Sequence, residues 1–331
     1  MDSTDYLIVD KDYHYDGTPA ARKLLYYTCG TEVIELQQLK DKLWVPDLSE
    51  RINKGEKINS PALSDLNICG LTAELEDVGD IAGSYKFKIT PRGGGLGETV
   101  LYINNNETRR YKPEQVVKTD DGYILTIPRD SIQPYLVPGN FNPVSLKTFT
   151  KENDILSRGL IIVADETKKK TQAPNLYAVI VGVSEYKAAE LSLNYAAKDA
   201  QDIGNVIALS AKKLLNQDSN EHVFLFNLNT GADRYSYPDK ESIRLVFDSI
   251  AKRAVASDIL LVFFAGHGTV EVDKNNQKQF YFLTADASSF INVEANGIST
   301  KELIEWIQPQ KIKAQKRILI LVWRLRYQAA T

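Results

Sequence analysis

No stretch of this sequence approaches the eighteen or so consecutive apolar residues of a membrane-spanning helix, so no membrane partner is expected. The opening residues, MDSTDYLIVDKDYHYD, are acidic and lack the positive start and apolar core of a signal peptide. Cysteine is scarce. Cys29 and Cys69 are the only two, too few for a disulfide framework and without metal-ligand spacing. Both are read as structural or incidental, which points to a cytoplasmic protein. The three histidines, His14, His222 and His267, are scattered and supply no ligand set, so no metal is expected. An excess of positive charge is also lacking: the net charge is −3, and the one basic run, Lys168 to Lys170, reads as a solvated linker. A nucleic-acid partner is therefore not expected. The run Pro91-Arg-Gly-Gly-Gly-Leu-Gly97 has neither a G-K-[ST] ending nor a helix behind it. It reads as a glycine-rich hairpin or bulge, not a phosphate loop, and no cofactor is implied.

What the sequence does contain is a change of texture along its length. Residues 1–78 carry two short β-like runs, Tyr6 to Val9 and Leu24 to Tyr27, within an irregular stretch that reads as the end of a larger unit. Residues 79–164 alternate apolar and polar positions at 85–89, 99–103, 123–127, 144–149 and 159–163, with turn residues between them. The triplet Asn104-Asn105-Asn106 suits a hairpin. Five such strands predict a small antiparallel sandwich. Residues 165–174 (DETKKKTQAP) are charged and form a linker. Residues 175–331 then alternate buried strands (176–183, 222–228, 258–264, 317–321) with helices (194–215, 240–254, and a third after 299). Asp239 is the expected N-cap of the second helix, and Ser299-Thr-Lys-Glu302 is a capping box. This alternation predicts an open, mainly parallel α/β sheet with helices on both faces.

The stretch Asp258 to Gly268, DILLVFFAGHG, carries the chemistry. Its apolar run predicts a strand buried on both faces, then a sharp turn at Ala265-Gly266 that presents His267 between two glycines. Open sheets place their chemistry at the carboxyl ends of such strands, and glycine lets backbone and substrate approach closely. The strand at 317–321 should lie beside it and carry a partner for the histidine. His14 and His222 read as ordinary surface or edge residues.

Five segments together resemble the caspase-like cysteine peptidases, specifically the prokaryotic relatives of metacaspases. They are NLYAVIVGVSEYK (175–187), LNYAAKDA (193–200), FFAGHG (263–268), YFLTADA (281–287) and KRILIL (316–321). The resemblance spans residues 177–321. It implies a histidine base and a cysteine nucleophile at the ends of neighbouring parallel strands, where an imidazole can draw off the thiol proton. His267 matches the histidine. The Gly268 amide matches an oxyanion donor. Asp199 matches a pocket carboxylate that would select Arg or Lys at the cleaved position; without the resemblance it reads as an acid stabilised at a helix start. Calcium dependence is a further implication of the family, although no calcium loop is readable. The segment before the linker resembles the propeller end and β module that precede such domains in bacterial WD-repeat proteins.

The sequence then departs from the family. Where the family continues Leu-Asp-x-Cys-x-Ser-Gly, this chain reads Leu321-Val322-Trp323-Arg324. Val322 stands in the place of the pocket aspartate and Arg324 in the place of the nucleophile. The expectation is a caspase-like endopeptidase acting on protein or peptide substrates, truncated at the nucleophile motif by a shifted frame or a shortened gene model, and inactive as written. The alternative is a non-catalytic interaction module that binds a protein partner through the N-terminal β region. Two structural expectations follow. The sheet should have strand order 2-1-3-4 with the fourth strand at an exposed edge, and Asp199 and His267 should open onto one cleft.

Overall fold

Alternating side chains and left-handed turns build the first half of the chain. In the computed structural model, which describes residues 4–29, 32–171, 173–217, 220–231, 237–272, 278–290 and 293–326, two units form. One comprises residues 1–133 and 143–164, the other 134–142 and 165–331. In the first unit, β1 (Leu7–Val9) pairs with β2 (Tyr15–Gly17), and β3 (Tyr26–Cys29) with β4 (Glu32–Glu35), both antiparallel. Among the described residues no four-stranded sheet forms before residue 74. Instead Tyr15, Ile34, Leu36, Leu39, Leu43 and Ile155 make a small core. The Tyr15 hydroxyl donates to the Leu36 carbonyl at 2.7 Å, so the buried ring leaves no unmet donor.

Eight strands follow, where five were expected: β5 (Glu74–Ile81), β6 (Ser84–Thr90), β7 (Thr99–Ile103), β8 (Asn106–Tyr111), β9 (Val117–Thr119), β10 (Gly122–Pro128), β11 (Phe141–Thr148) and β12 (Leu160–Asp165). They form two four-stranded sheets, β5-β6-β10-β9 and β12-β11-β7-β8. Three strands were missed: β5 and β8 are rich in charge (ELEDVGDI and NETRRY), β9 has three residues (VKT), and each pairs on one side only, so none shows apolar alternation. The triple-asparagine turn is a two-residue hairpin. Asn104 and Asn105 have φ of 50° and 65°, and Ile103 pairs with Asn106. The glycine-rich run lies against other backbone, with Gly93 and Gly94 N–H groups donating to the carbonyls of Gly70 and Leu71.

Two sequence readings are decided in this unit. Of the structural and incidental readings of Cys29 and Cys69 the structural one holds: they form a disulfide across 40 residues, so neither is incidental. Nothing in their spacing signals this, because β3 and the segment after the short turn Leu63–Asp65 meet only through the folded chain. His14 is not a surface residue either; it is 2% exposed. The Asp10 carboxylate accepts from the backbone N–H groups of Asp12 and His14 and faces His14 Nδ1 at 2.8 Å. His14 Nε2 faces the carbonyls of Ser60 and Pro61 at 3.2 and 3.1 Å. Both ring nitrogens point at acceptors, so the ring holds both protons. Burial works against that charge, but the bond to Asp10, its negative charge and the two carbonyls outweigh it and raise the His14 pKa.

The second unit is built on apolar strands. β13 (Leu176–Gly182) is buried at every position. It lies parallel between β14 (Val223–Asn229) and β15 (Ile259–Val272). β15 pairs in parallel with β18 (Lys316–Arg326), and its far end pairs antiparallel with β16 (Lys278–Leu283), which continues to β17 (Gly297–Ser299). The parallel order is thus β14-β13-β15-β18, the expected 2-1-3-4, with the fourth strand at an edge. Ile318, Leu319, Ile320 and Val322 are exposed along it. Helix α1 (Ala196–Leu215) covers the face carrying Ala178, Ile180, Leu261 and Phe263. Helices α2 (Lys240–Ala251) and α3 (Thr300–Ile307) join the opposite core, where Ile243, Phe247, Ile250 and Leu303 meet Val179, Val181, Val262 and Phe264. Asp239 caps α2 by accepting from Ser242 N–H at 2.7 Å, and the Ser299–Glu302 box caps α3. Among the described residues, no helix is long and apolar enough to cross a membrane.

One local reading is corrected. β15 does not turn at Ala265-Gly266; it runs straight through His267 to Val272. Antiparallel pairing with β16 from Gly268 onward carries the ladder past the point where the apolar run ends.

Reduction of Cys29–Cys69 should destabilise the first unit by about 4 kcal/mol if loop closure of the unfolded chain dominates. Hydrogen exchange with and without reductant checks this: protection should fall at Tyr15, Leu36 and Leu39 and hold at Val179 and Val262. The His14 charge gives a pH dependence of opposite origin to acid unfolding. Its folded pKa is raised, so its stabilising contribution is complete below the unfolded value of 6.5 and is lost as pH rises through the folded one. Exchange of the 10–14 and 60–63 segments should therefore quicken from pH 6 to pH 9 beyond the intrinsic rate. His14→Gln should abolish that extra dependence.

Candidate active site

Flush registers set the site. Leu176 aligns with Val223 and Ile259, and Ile259 with Lys316, so the strands begin level. Asp258, fully buried, ties two of those starts together: its carboxylate accepts from Asn175 N–H at 2.8 Å and from Val255 N–H at 2.9 Å. Six residues on, Gly182, Asn229, Ala265 and Val322 form a row at the carboxyl ends. His267 lies two residues beyond that row, directly across from Arg324.

His267 is 2% exposed and is held from every side. Its backbone N–H donates to the Tyr186 hydroxyl at 2.8 Å. Its ring packs against Tyr186 at 5.4 Å and edge-on against Phe290 at 5.1 Å between centroids. Nε2 lies 2.9 Å from the Leu191 carbonyl. A carbonyl only accepts, so Nε2 donates to it and carries a proton. Burial raises the Tyr186 pKa, so the phenol stays protonated beside the ring.

Tyr186 and Leu191 both come from the loop after β13, and sequence reasoning missed them. The loop is pinned by its own polar groups. Thr230 Oγ1 accepts from the N–H groups of Ser184 and Glu185, Ser184 Oγ accepts from Ala197 N–H, and Leu193 N–H donates to the Ser184 carbonyl. Leu191 contributes a backbone carbonyl, which no side-chain type announces. Tyr186 could have been suspected only as an aromatic in a polar loop following a buried strand.

Asp199 sits exposed in the first turn of α1. A cavity of about 470 Å³ at the strand ends is lined by Asp199 together with Leu193, Tyr195, Gly266, Val322 and Trp323. His267 is not among its lining residues; the two meet only through Gly266, next to the histidine. Gly182 positions the carboxylate. A Cβ there would fall 2.4 Å from Ala200 Cβ and 2.8 Å from the Ala196 carbonyl, so only glycine lets α1 begin against the strand end.

The glycines around His267 do something other than admit substrate. Gly266 has Phe282 and the Tyr186 hydroxyl where a Cβ would be, and Gly268 has Phe280 and Trp323. They let aromatic rings lie on the strand. Gly268 pairs with Phe282 on one side and Leu325 on the other, so it sits inside the ladder.

The remaining histidine, His222, faces Asn175 Oδ1 at 2.9 Å where β14 begins. Asp10, Asp12 and His14 bring donor atoms within 4.8 Å of one another, a grouping sequence spacing alone did not suggest. Asp10 and His14 spend those donors on the hydrogen bonds of their own loop, so the grouping reads as a folded turn.

Comparison with known proteins fits this geometry. Residues 175–308 match the caspase domain of the Peptidase_C14 family. No curated protein sequence matches the chain. Among solved structures, a protein of Geobacter sulfurreducens is similar at 16% identity over 47% of this chain, with a TM-score of 0.34. The chain spans about half of that structure, 52% of its length. A polysaccharide deacetylase of Bacillus cereus is similar at 9% identity over 78% of this chain and 70% of that one, with a TM-score of 0.21. Scores this low establish no shared fold. The five motifs, the 2-1-3-4 sheet and the match agree on one reading: residues 175–308 match a caspase domain, and that part of the chain is similar to the caspase-like peptidases.

Proposed function

We propose that the caspase domain is built for hydrolysis of peptide bonds by a cysteine–histidine dyad, with cleavage after Arg or Lys. The observation that carries this is the register of β15 and β18. It sets position 324 directly across from His267, on neighbouring strands about 4.8 Å apart, and the Leu191 carbonyl keeps a proton on Nε2. A thiol at 324 would face a base in the correct form. Val322 lines the cavity that contains Asp199, so an acid at 322 would add a second carboxylate to a pocket suited to a cationic side chain. The oxyanion role of Gly268 belongs to a form in which residue 325 does not continue the ladder beside it. Calcium enters only through the family resemblance.

With Arg324 in that position the chain has no nucleophile there, since a guanidinium stays protonated at any working pH. This favours a second reading, a non-catalytic interaction module. Ile161 and Val163, exposed on the edge strand β12 of the first unit, support a protein partner on that β region. Buried alternation at Phe87, Ile89, Leu125 and Ile127 in one sheet, and at Leu101, Ile103, Val144 and Leu146 in the other, supports their packing as a sandwich. The Cys29–Cys69 bond supports an oxidising compartment over the cytoplasm first expected.

The unmodified chain should not turn over fluorogenic peptides ending in Arg, Lys or Asp, with or without calcium. In Val322→Asp/Arg324→Cys, the new thiol should be alkylated at pH 6 about tenfold faster than in the same variant carrying His267→Ala, because the base depresses its pKa. Equal alkylation rates would remove His267 from the dyad. Turnover by the unmodified chain, lost in His267→Ala, would overturn the account of position 324. Cleavage after Asp but not Arg or Lys would overturn the role of Asp199.

A further inference from the structure

The first unit contains a second cavity, independent of the caspase domain. It has a volume of about 600 Å³ and is lined by Arg22, Lys23, Leu25, Tyr26, Val33 and Arg158, with Glu35 at its wall. That volume is typical of sites for small organic ligands. Its apolar walls are open to water: Leu25 is 47% and Tyr26 58% exposed.

Arg22 is the unusual member. Its guanidinium lies 5.3 Å from the centre of the Trp44 ring. The ring is itself fixed, its Nε1–H donating to Asp16 Oδ1 at 3.3 Å. Stacking on an aromatic face orients a guanidinium without using its N–H donors. Arg22 Nε and Nη1 are buried and have no hydrogen-bond partner. Burial strips water from these donors, and nothing in the fold replaces it. The charge is also uncompensated. Glu35, the carboxylate in the cavity wall, is taken by Arg158, Nε to Oε1 at 3.2 Å. Arg22 and Lys23 therefore leave the cavity positive, with the half-buried Arg22 guanidinium held on the Trp44 ring at its edge.

We propose that this cavity binds a small carboxylate with an aromatic or branched aliphatic body, the carboxylate on Arg22 and the body against Leu25, Tyr26 and Val33. A planar carboxylate matches the fork of a guanidinium. The apolar wall has no use for a fully hydrated inorganic anion, and the Glu35 carboxylate at the rim disfavours a dianion. The site serves binding and contains no group placed to react.

The test uses the full chain with three probes at constant ionic strength: N-acetyl-L-phenylalanine, its neutral amide, and inorganic phosphate. Binding is read by calorimetry and by the Arg22 Nε–H resonance, identified as the signal missing from Arg22→Lys. The acid should bind at least about tenfold more tightly than the amide and shift that resonance. Arg22→Lys, which keeps the charge but not the fork, should weaken acid binding about tenfold. Tyr26→Ala, a change at an exposed wall that leaves the fold intact, should weaken it as well. Equal binding of acid and amide, phosphate binding as tight as the acid, or an unchanged affinity in Tyr26→Ala would each overturn the proposal. None of these outcomes bears on the peptidase reading, which rests on the other unit.

Discussion

The second unit depends on one strand keeping its register on both sides. β15 is flush with β13 along one edge and with β18 along the other, from Ile259 to Gly182's partner Ala265 and beyond. A slip of one residue would exchange its two faces, moving Leu261 and Phe263 from the core under α1 to the core of α2 and α3. Both faces are apolar, so hydrophobic pattern alone would not forbid that slip. Side-chain shape and anchoring do. Phe247, buried to 1% exposure, fits against Val262 and Phe264 within one core, and burial of such a ring contributes about 1.5–3 kcal/mol. Asp258 fixes the start of the strand through two backbone N–H groups that would be left unmet if it moved. Register is therefore set at the amino end, and the chemistry at the carboxyl end inherits it.

The histidine shows how that inheritance works. Its sequence position puts it two residues past the row of strand ends, but its chemical state comes from elsewhere. The Leu191 carbonyl selects the tautomer, Tyr186 holds the backbone, and Tyr186 with Phe290 excludes water from the ring. The Leu191 and Tyr186 contacts rest on a loop tied by Thr230 and Ser184 hydroxyls. Under the proposed dyad, a ring held in this dry, hydrogen-bonded setting would lose little entropy or hydration on acting, which is what preorganisation would mean for a base.

The sequence made this architecture legible wherever a single segment held the whole signal. The apolar strands, the Asp239 cap, the Ser299–Glu302 box and the asparagine hairpin each depend on residues a few positions apart. What escaped were pairings between distant segments. The reach of β15 past Gly266 depends on β16 lying beside it. The burial of His14 depends on the carbonyls of Ser60 and Pro61, and the bond between Cys29 and Cys69 on the small core around Tyr15. The charged strands β5 and β8 escaped for a related reason: each gains its order from one neighbour, so neither carries an apolar period of its own. In the candidate site, the positions of His267 at the carboxyl end of its strand and of Asp199 in the first turn of its helix could be named in advance. The carbonyl that orients one and the glycine that seats the other could not, because a backbone group and an absent side chain have no signature in a motif.

Fold and nucleophile are separable in this domain for a physical reason. The β15–β18 ladder is made by backbone groups, which every non-proline residue supplies alike. Along β18, Ile318, Leu319, Ile320 and Val322 are exposed, so packing constrains their identity weakly. The sheet can therefore keep position 324 opposite His267 whatever side chain stands there. The reverse does not hold. A thiol cannot act without the register, the tautomer and the dry ring that the rest of the domain provides. Under the proposed dyad, the scaffold would specify where attack comes from and how its base is oriented. The residue at one position of an edge strand then decides whether that arrangement is a catalyst or only a fold.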